Sequence, residues 1–218
     1  MSVVLVTGAS RGIGREVCRQ LTDRGVTVIA ASRKGTPHPY GAPLPLDVTD
    51  ESSVTRAIAT ISSNWGKVDV LINNAAVLLD QGQSILTLSS DTLRSTLETN
   101  LIGPMRVAQS VWPLLRNGGC VVNVSSMSGQ FAEMDDWAPG YSLSKTAINA
   151  LTVQLAIAGR PNAIRVNSVC PGWVQTDMGG IGAPRSPAEG AAGIVWLALD
   201  APISQTGMFF RDQVVNPW

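Results

Sequence analysis

Histidine is all but missing from this chain. His38, set between Pro37 and Pro39, is the only one, and it reads as part of a solvated loop. A metal centre or a histidine-based catalytic triad has little to build on, so no metal ligand set is expected. Cysteine is nearly as scarce. Cys18, Cys120 and Cys170 show neither a CxxC pair nor a metal-ligand spacing. An odd, sparse set of this kind reads as reduced thiols of a cytoplasmic protein. Neither sign of charge dominates, with 16 Lys and Arg against 16 Asp and Glu, so total charge does not suggest a nucleic-acid partner. Long apolar runs are absent too. Ser2 to Val6 is apolar but far too short for a signal or membrane segment, and no membrane partner is expected.

What is present is an alternation of short apolar runs and helical periods. With 218 residues, 44% apolar, and 21 glycines, the chain suits a single α/β domain over residues 1–218 with a substantial core. Val3 to Thr7 reads as a buried strand, and Ile13, Val17 and Leu21 carry a helical period that Gly25 ends. Further strands are expected at Val26–Ala31, Val68–Ile72, Val121–Val124 and Ile164–Val169, with Met208–Arg211 closing the sheet. Helices are expected over Thr49–Asn64, Asp91–Leu115 and Tyr141–Ala158. Leu93, Leu97, Leu101, Ala108 and Leu115 would form the inner face of the long one. Ser186-Pro-Ala-Glu189 supplies an N-cap, a first-turn proline and a capping-box acid for a last helix. Residues 34–45, rich in Gly and Pro, read as loop. Strands alternating with helices imply a doubly wound parallel sheet between two helical layers, a Rossmann-type α/β/α architecture.

Two segments carry chemistry. Thr7-Gly-Ala-Ser-Arg-Gly-Ile-Gly14 lies between the first strand and first helix. Gly8 permits the turn, Gly12 lets a pyrophosphate approach the backbone, and Gly14 lets the helix pack close to the sheet. The helix N-terminus then offers free N–H groups to phosphate. After the second strand a ribose 2′-hydroxyl would call for an acid, yet the chain has Ser32-Arg33-Lys34. With Arg11 in the turn as well, these cations predict a 2′-phosphate and hence NADP(H). The second segment is Tyr141-Ser-Leu-Ser-Lys145, which puts a phenol and an ammonium one helical turn apart. A nearby cation lowers a phenol pKa from its ordinary value near pH ~10. Such a pair can exchange a proton with a carbonyl or alcohol oxygen. Pro104, four residues after Asn100, removes the N–H that would pair with the Asn100 carbonyl, so the long helix should kink there.

These motifs occur in order with Leu46-Asp47-Val48, Asn73-Asn-Ala-Ala76, Ser125-Ser126 and Pro171-Gly172. Together they resemble the short-chain dehydrogenase/reductase family. The likeness is greatest to its carbonyl-reductase-like branch, through Val169-Cys-Pro-Gly-Trp-Val-Gln-Thr-Asp-Met178 and Phe209-Phe-Arg-Asp212. The resemblance implies Tyr141 as acid–base residue and Lys145 as its partner, also binding nicotinamide ribose. It implies Ser126 as hydrogen-bond donor to the substrate oxygen, with Ser125 and Ser128 as competitors, and Asn100 as the holder of a relay water. It places the cofactor on Gly8, Ser10, Arg11, Gly12, Ile13, Gly14 and Arg33. Asp47 and Val48 would contact the adenine, and Asn74 and Ala75 would lie along the dinucleotide. Pro171, Gly172, Val174 and Thr176 would turn beneath the nicotinamide. Ala76 departs from the family's usual glycine. The substrate would be a small-molecule carbonyl or alcohol, lined by candidates Met127, Trp137, Trp173 and Met178. The family commonly forms a homodimer or homotetramer through its two long central helices. Other enzymes of the same family, such as a 3-oxoacyl thioester reductase or polyol dehydrogenase, and a non-catalytic dinucleotide sensor are the alternative readings.

Overall fold

The computed structural model describes residues 2–218. One eight-stranded sheet runs through it in the order β3-β2-β1-β4-β5-β6-β7-β8. Strands β1 (Val3–Val6), β2 (Thr27–Ser32), β4 (Val68–Asn73), β5 (Leu115–Val124), β6 (Arg165–Cys170) and β7 (Phe209–Arg211) occupy the expected places, though β5 starts earlier than the sequence suggested. The period-2 alternation of β1 shows why the sheet is covered on both faces. Val4 and Val6 pack with Val17, Leu21, Ile194 and Leu197 of α1 (Gly12–Asp23) and α6 (Pro187–Leu199). Val3 and Leu5 pack instead with Val54 and Ile61 of α2 (Glu51–Trp65) and with Val107 and Val111 of α4 (Gly103–Val111). Ser186 and Glu189 form the expected capping box on α6.

Four expectations are corrected. The stretch read as loop contains β3 (Ala42–Pro45), an edge strand in register with Ile29–Ser32 of β2. Its prolines hid it. Leu46 N–H donates to Ser32 O at 2.9 Å, so Leu44, of like parity, faces β2. Pro43 and Pro45 therefore turn their missing N–H toward the open edge, where none is needed. Second, the long helix is broken. After α3 (Ser90–Leu97) comes a π-helical turn (Glu98–Ile102), then α4, and Leu115 opens β5 instead of ending a helix. The break falls where Pro104 withholds its N–H. Of the expected inner face, Ala108 and Leu115 are buried and Leu93, Leu97 and Leu101 only half-buried, while Thr96, Asn100, Val107 and Val111 are buried as well. Third, β8 (Val214–Asn216) turns back antiparallel on β7. Fourth, His38 is half-buried and tied down at both ring nitrogens. Tyr40 N–H donates to its Nδ1 at 3.2 Å, so Nε2 carries the ring proton and donates to Ala9 O at 3.0 Å. No helix joins β2 to β3. His38 and Tyr40 staple that crossover to the glycine turn and α1, where Thr22 Oγ1 donates to Tyr40 O at 2.8 Å.

Candidate active site

A cleft of about 340 Å³ opens at the C-terminal ends of β1, β4 and β5, where the sheet order reverses about β1. Crevices at such switch points are where open α/β sheets take their ligands. Of the residues the sequence put forward, Gly8, Ser10, Arg11, Gly12, Ile13 and Gly14 line one end. Arg33, Asp47 and Val48 line the adjoining wall, and Asn74 and Ala75 the floor. Tyr141, Lys145 and Pro171 line the other end, and Thr176 lines the cleft next to Gly12.

The glycine turn is shaped for close approach. Gly12 has φ +53°, and a Cβ on Gly14 would come within 2.3 Å of Gly8 O. Arg11, the N-cap of α1, is extended and gives the helix no side-chain cap, so the first-turn N–H groups remain available beside the cleft. Asn74 holds the turn in place, its Nδ2 donating to Thr7 O at 2.9 Å and Gly8 O at 3.1 Å. A Cβ on Gly14 would also meet this amide at 2.5 Å. The side chain of Arg11 reaches across the mouth to Asp177, 2.5 Å away, with both side chains about 70% exposed (72% and 71%). A pair so exposed is worth little, so Arg11 can be drawn to another anion. At the far wall Arg33 and Lys34 are exposed, though Lys34 is outside the cleft lining. Asp47 is partly committed to its own turn, accepting from Thr49 N–H and Oγ1 at 3.0 and 2.7 Å. Arg106 fixes Val48 by donating to its carbonyl at 2.6 Å.

At the other end α5 (Pro139–Gly159) carries Tyr141 and Lys145. Lys145 is 3% exposed, donates from Nζ to Val124 O at 2.8 Å, and lies 5.4 Å from the Tyr141 ring centroid. Burial lowers its pKa to about 8, against a smaller opposing pull from Cys170. The phenol of half-buried Tyr141 moves the other way. Burial raises it above its ordinary range, Cys170 adds to this, and a hydrogen bond with Ser126 opposes both. The expectation that Lys145 depresses the tyrosine is thus not met here: burial decides the sign for both groups, and the lysine has lost its charge before the phenol ionises. Ser126 is the serine that reaches the phenol. Ser125 is buried and donates to Lys145 O at 3.3 Å, and Ser128 bonds Ser126. Asn100, in the π turn, is buried and donates from Nδ2 to Ser144 Oγ at 3.0 Å, beside Lys145.

Beyond Pro171 the chain turns under the cleft. Thr176 approaches the glycine turn, its Cγ2 lying 3.1 Å from where a Gly12 Cβ would be. Gly172 and Val174 stand behind this wall. Gly172, with φ +79°, packs on the Arg185 side chain, and buried Val174 packs on Gly190. Arg185 is in turn gripped by Asp212 at 2.7 and 2.6 Å. Met178 lines the cleft; Met127, Trp137 and Trp173 do not. The sequence reading missed Asp177, Ser32, Val77 and Thr99 in the lining. Among the described residues no group of acids, histidines and cysteines could hold a metal, and no helix is long and apolar enough to cross a membrane.

Residues 2–182 match the family model described as short chain dehydrogenase. The chain belongs to this family. It is 32% identical over 186 residues to the 3-oxoacyl-[acyl-carrier-protein] reductase of Vibrio harveyi, covering 81% of this chain and 75% of that one. It is 29% identical to the (+)-neomenthol dehydrogenase of Arabidopsis thaliana, over 97% of this chain and 96% of that one. Among solved structures, NADPH-bound carbonyl reductase from chicken fatty liver superposes with a TM-score of 0.91 at 27% identity, each chain fully covered (100%). The ligand-free aldohexose dehydrogenase of Thermoplasma acidophilum gives 0.85 at 27% identity, over 97% of this chain and 92% of that one. As a short-chain dehydrogenase this protein is an oxidoreductase acting on CH–OH and C=O groups of small molecules with a nicotinamide dinucleotide. Its cleft suits such a cofactor, with glycine positions that a Cβ would fill and an uncapped helix N-terminus.

Proposed function

We propose that this short-chain dehydrogenase is a cytoplasmic reductase that uses NADPH to reduce small aldehyde, ketone or quinone carbonyls. The observation that carries the reading is the position of Tyr141 and Lys145 on one wall of a cleft whose opposite end offers the α1 N-terminus and Arg33. NADPH, when bound, supplies the hydride. Tyr141 donates its phenolic proton to the carbonyl oxygen, and Ser126 donates a hydrogen bond to that oxygen without adding charge. Lys145, steadied by Val124 O, would bind the ribose hydroxyls. Asn100 fixes the helix turn beside it and anchors the path by which the proton is replaced. Arg33 would hold the 2′-phosphate, together with Arg11 once it is released from Asp177.

NADPH oxidation measured over a panel of aldehydes, ketones, quinones and 3-oxoacyl thioesters tests the substrate class. Turnover is expected with the free carbonyls. Turnover confined to the thioesters would replace this reading by the acyl-reductase one, and none at all would end it. Arg33→Asp tests the cofactor. It should weaken NADPH binding by about 10–100-fold, the loss of charge-assisted hydrogen bonds to phosphate, with little change for NADH. Equal weakening of both in fluorescence titrations would refute the preference for NADPH.

A further inference from the structure

The backbone of Tyr141 is held from both sides by groups outside its own helical ladder. The N-cap of α5 is Ala138, which has no side chain to offer. Its place is taken by Asp80, whose carboxylate accepts from Gly140 N–H, 60 residues on, at 2.5 Å and from Tyr141 N–H at 3.3 Å. Asp80 is 0% exposed, and none of the ion pairs among the described residues includes it. On the other side, the Tyr141 carbonyl accepts from Ser144 Oγ at 2.7 Å, and that hydroxyl accepts from Asn100 Nδ2 at 3.0 Å. Asn100 grips Val77 on both backbone groups, accepting from its N–H at 2.8 Å and donating to its carbonyl at 2.9 Å. The chain from Val77 to Asp80 closes the ring.

We propose that Asp80 is a positioning residue that fixes Tyr141 against the strip Asn74–Val77 forming the cleft floor; the proposal rests on the acid–base role given to Tyr141 above. Capping alone does not account for an acid here. A serine at position 138 would cap the helix locally at no cost in buried charge, whereas a buried carboxylate without an ion partner is expensive. What the distant cap adds is registry. A local cap travels with α5, but Asp80 belongs to the segment that runs on from the floor, so its two N–H bonds set the distance between phenol and floor.

The experiment compares wild type, Asp80→Ala, Asp80→Asn and the double variant Asp80→Ala/Ala138→Ser, which restores a cap but not the tie. Thermal midpoint, NADPH affinity, kcat and KM are measured for each. Phenolate absorbance is followed in a Tyr40→Phe background, where Tyr141 is the only tyrosine left. The double variant should recover its thermal midpoint and bind NADPH, yet keep a kcat about 100-fold low, as a displacement of about 1 Å produces. Its phenol should titrate nearer the ordinary range than in wild type. Asp80→Asn, which keeps the size, should lower kcat more than it changes KM. Recovery of kcat together with the midpoint, or wild-type kcat in Asp80→Asn, would overturn the proposal. A wild type inactive on every carbonyl would overturn the proposed function instead, and the phenolate titration would still decide the role of Asp80.

Discussion

Tyr141→Phe should lower turnover by about 10²–10⁴-fold, the range for loss of a positioned general acid, and leave the dinucleotide Kd unchanged. The substitution removes one oxygen from a half-buried ring and one hydrogen bond with Ser126, so the fold has little reason to change. The split between kcat and Kd follows from what the phenol touches. It sits on the cleft wall beside Lys145, whereas the glycine turn and Arg33, which would carry most of the dinucleotide, lie at the other end. Direction matters as well. Burial keeps the phenol protonated well past neutral pH, the form needed to give a proton to a carbonyl. Oxidation of an alcohol needs the phenolate, so its rate should climb with pH while the reduction rate does not. Stopped-flow turnover and fluorescence titration of the same preparation check both parts. Residual turnover within tenfold of wild type would show that another group protonates the substrate.

The features legible in the sequence are those whose physical cause is local. The glycine turn was legible because strand, turn and helix follow within a few residues. The α6 capping box was legible because both partners lie three residues apart. The break at Asn100 could be placed from Pro104, although its form as a π turn could not, since that depends on how Asn100 docks onto Val77 and Ser144. What was missed depends on distant partners. His38 between two prolines looks solvated, yet the carbonyl of Ala9, 29 residues away, accepts its hydrogen bond. Asp177 reaches Arg11 across 166 residues. β3 was lost because proline counts against a strand unless its edge position is known. The sign of the tyrosine shift was misjudged for a related reason. Residue spacing puts an ammonium near the phenol, but only the folded arrangement shows how far both groups are desolvated.

Lys145→Met should abolish the proton relay and yet make the empty protein more stable at neutral pH. The lysine pKa falls from 10.5 to about 8 on folding, mainly through burial. Between those values the unfolded chain holds a proton that the folded one has released, so stability rises with pH across this window. Below pH 8 both states are charged and the folded one bears the full cost, about 3 kcal/mol at 1.36 kcal/mol per unit. Methionine has nearly the same length and no charge, and so removes that cost. It also leaves Val124 O, the acceptor at 2.8 Å, without a donor, a penalty of about 1–3 kcal/mol at any pH. The variant should therefore be more stable than wild type by about 1–2 kcal/mol at pH 7, and less stable by a similar amount above pH 10.5. The difference between the two proteins is the quantity to measure. Cys18 and Cys120, pushed by burial to about 12 and about 11, erode the stability of both above pH 9. Urea unfolding at intervals from pH 7 to 10.5 gives the difference directly. A gap that stays constant with pH would mean that Lys145 carries the same charge folded and unfolded, and that its ammonium is not desolvated in the cleft wall.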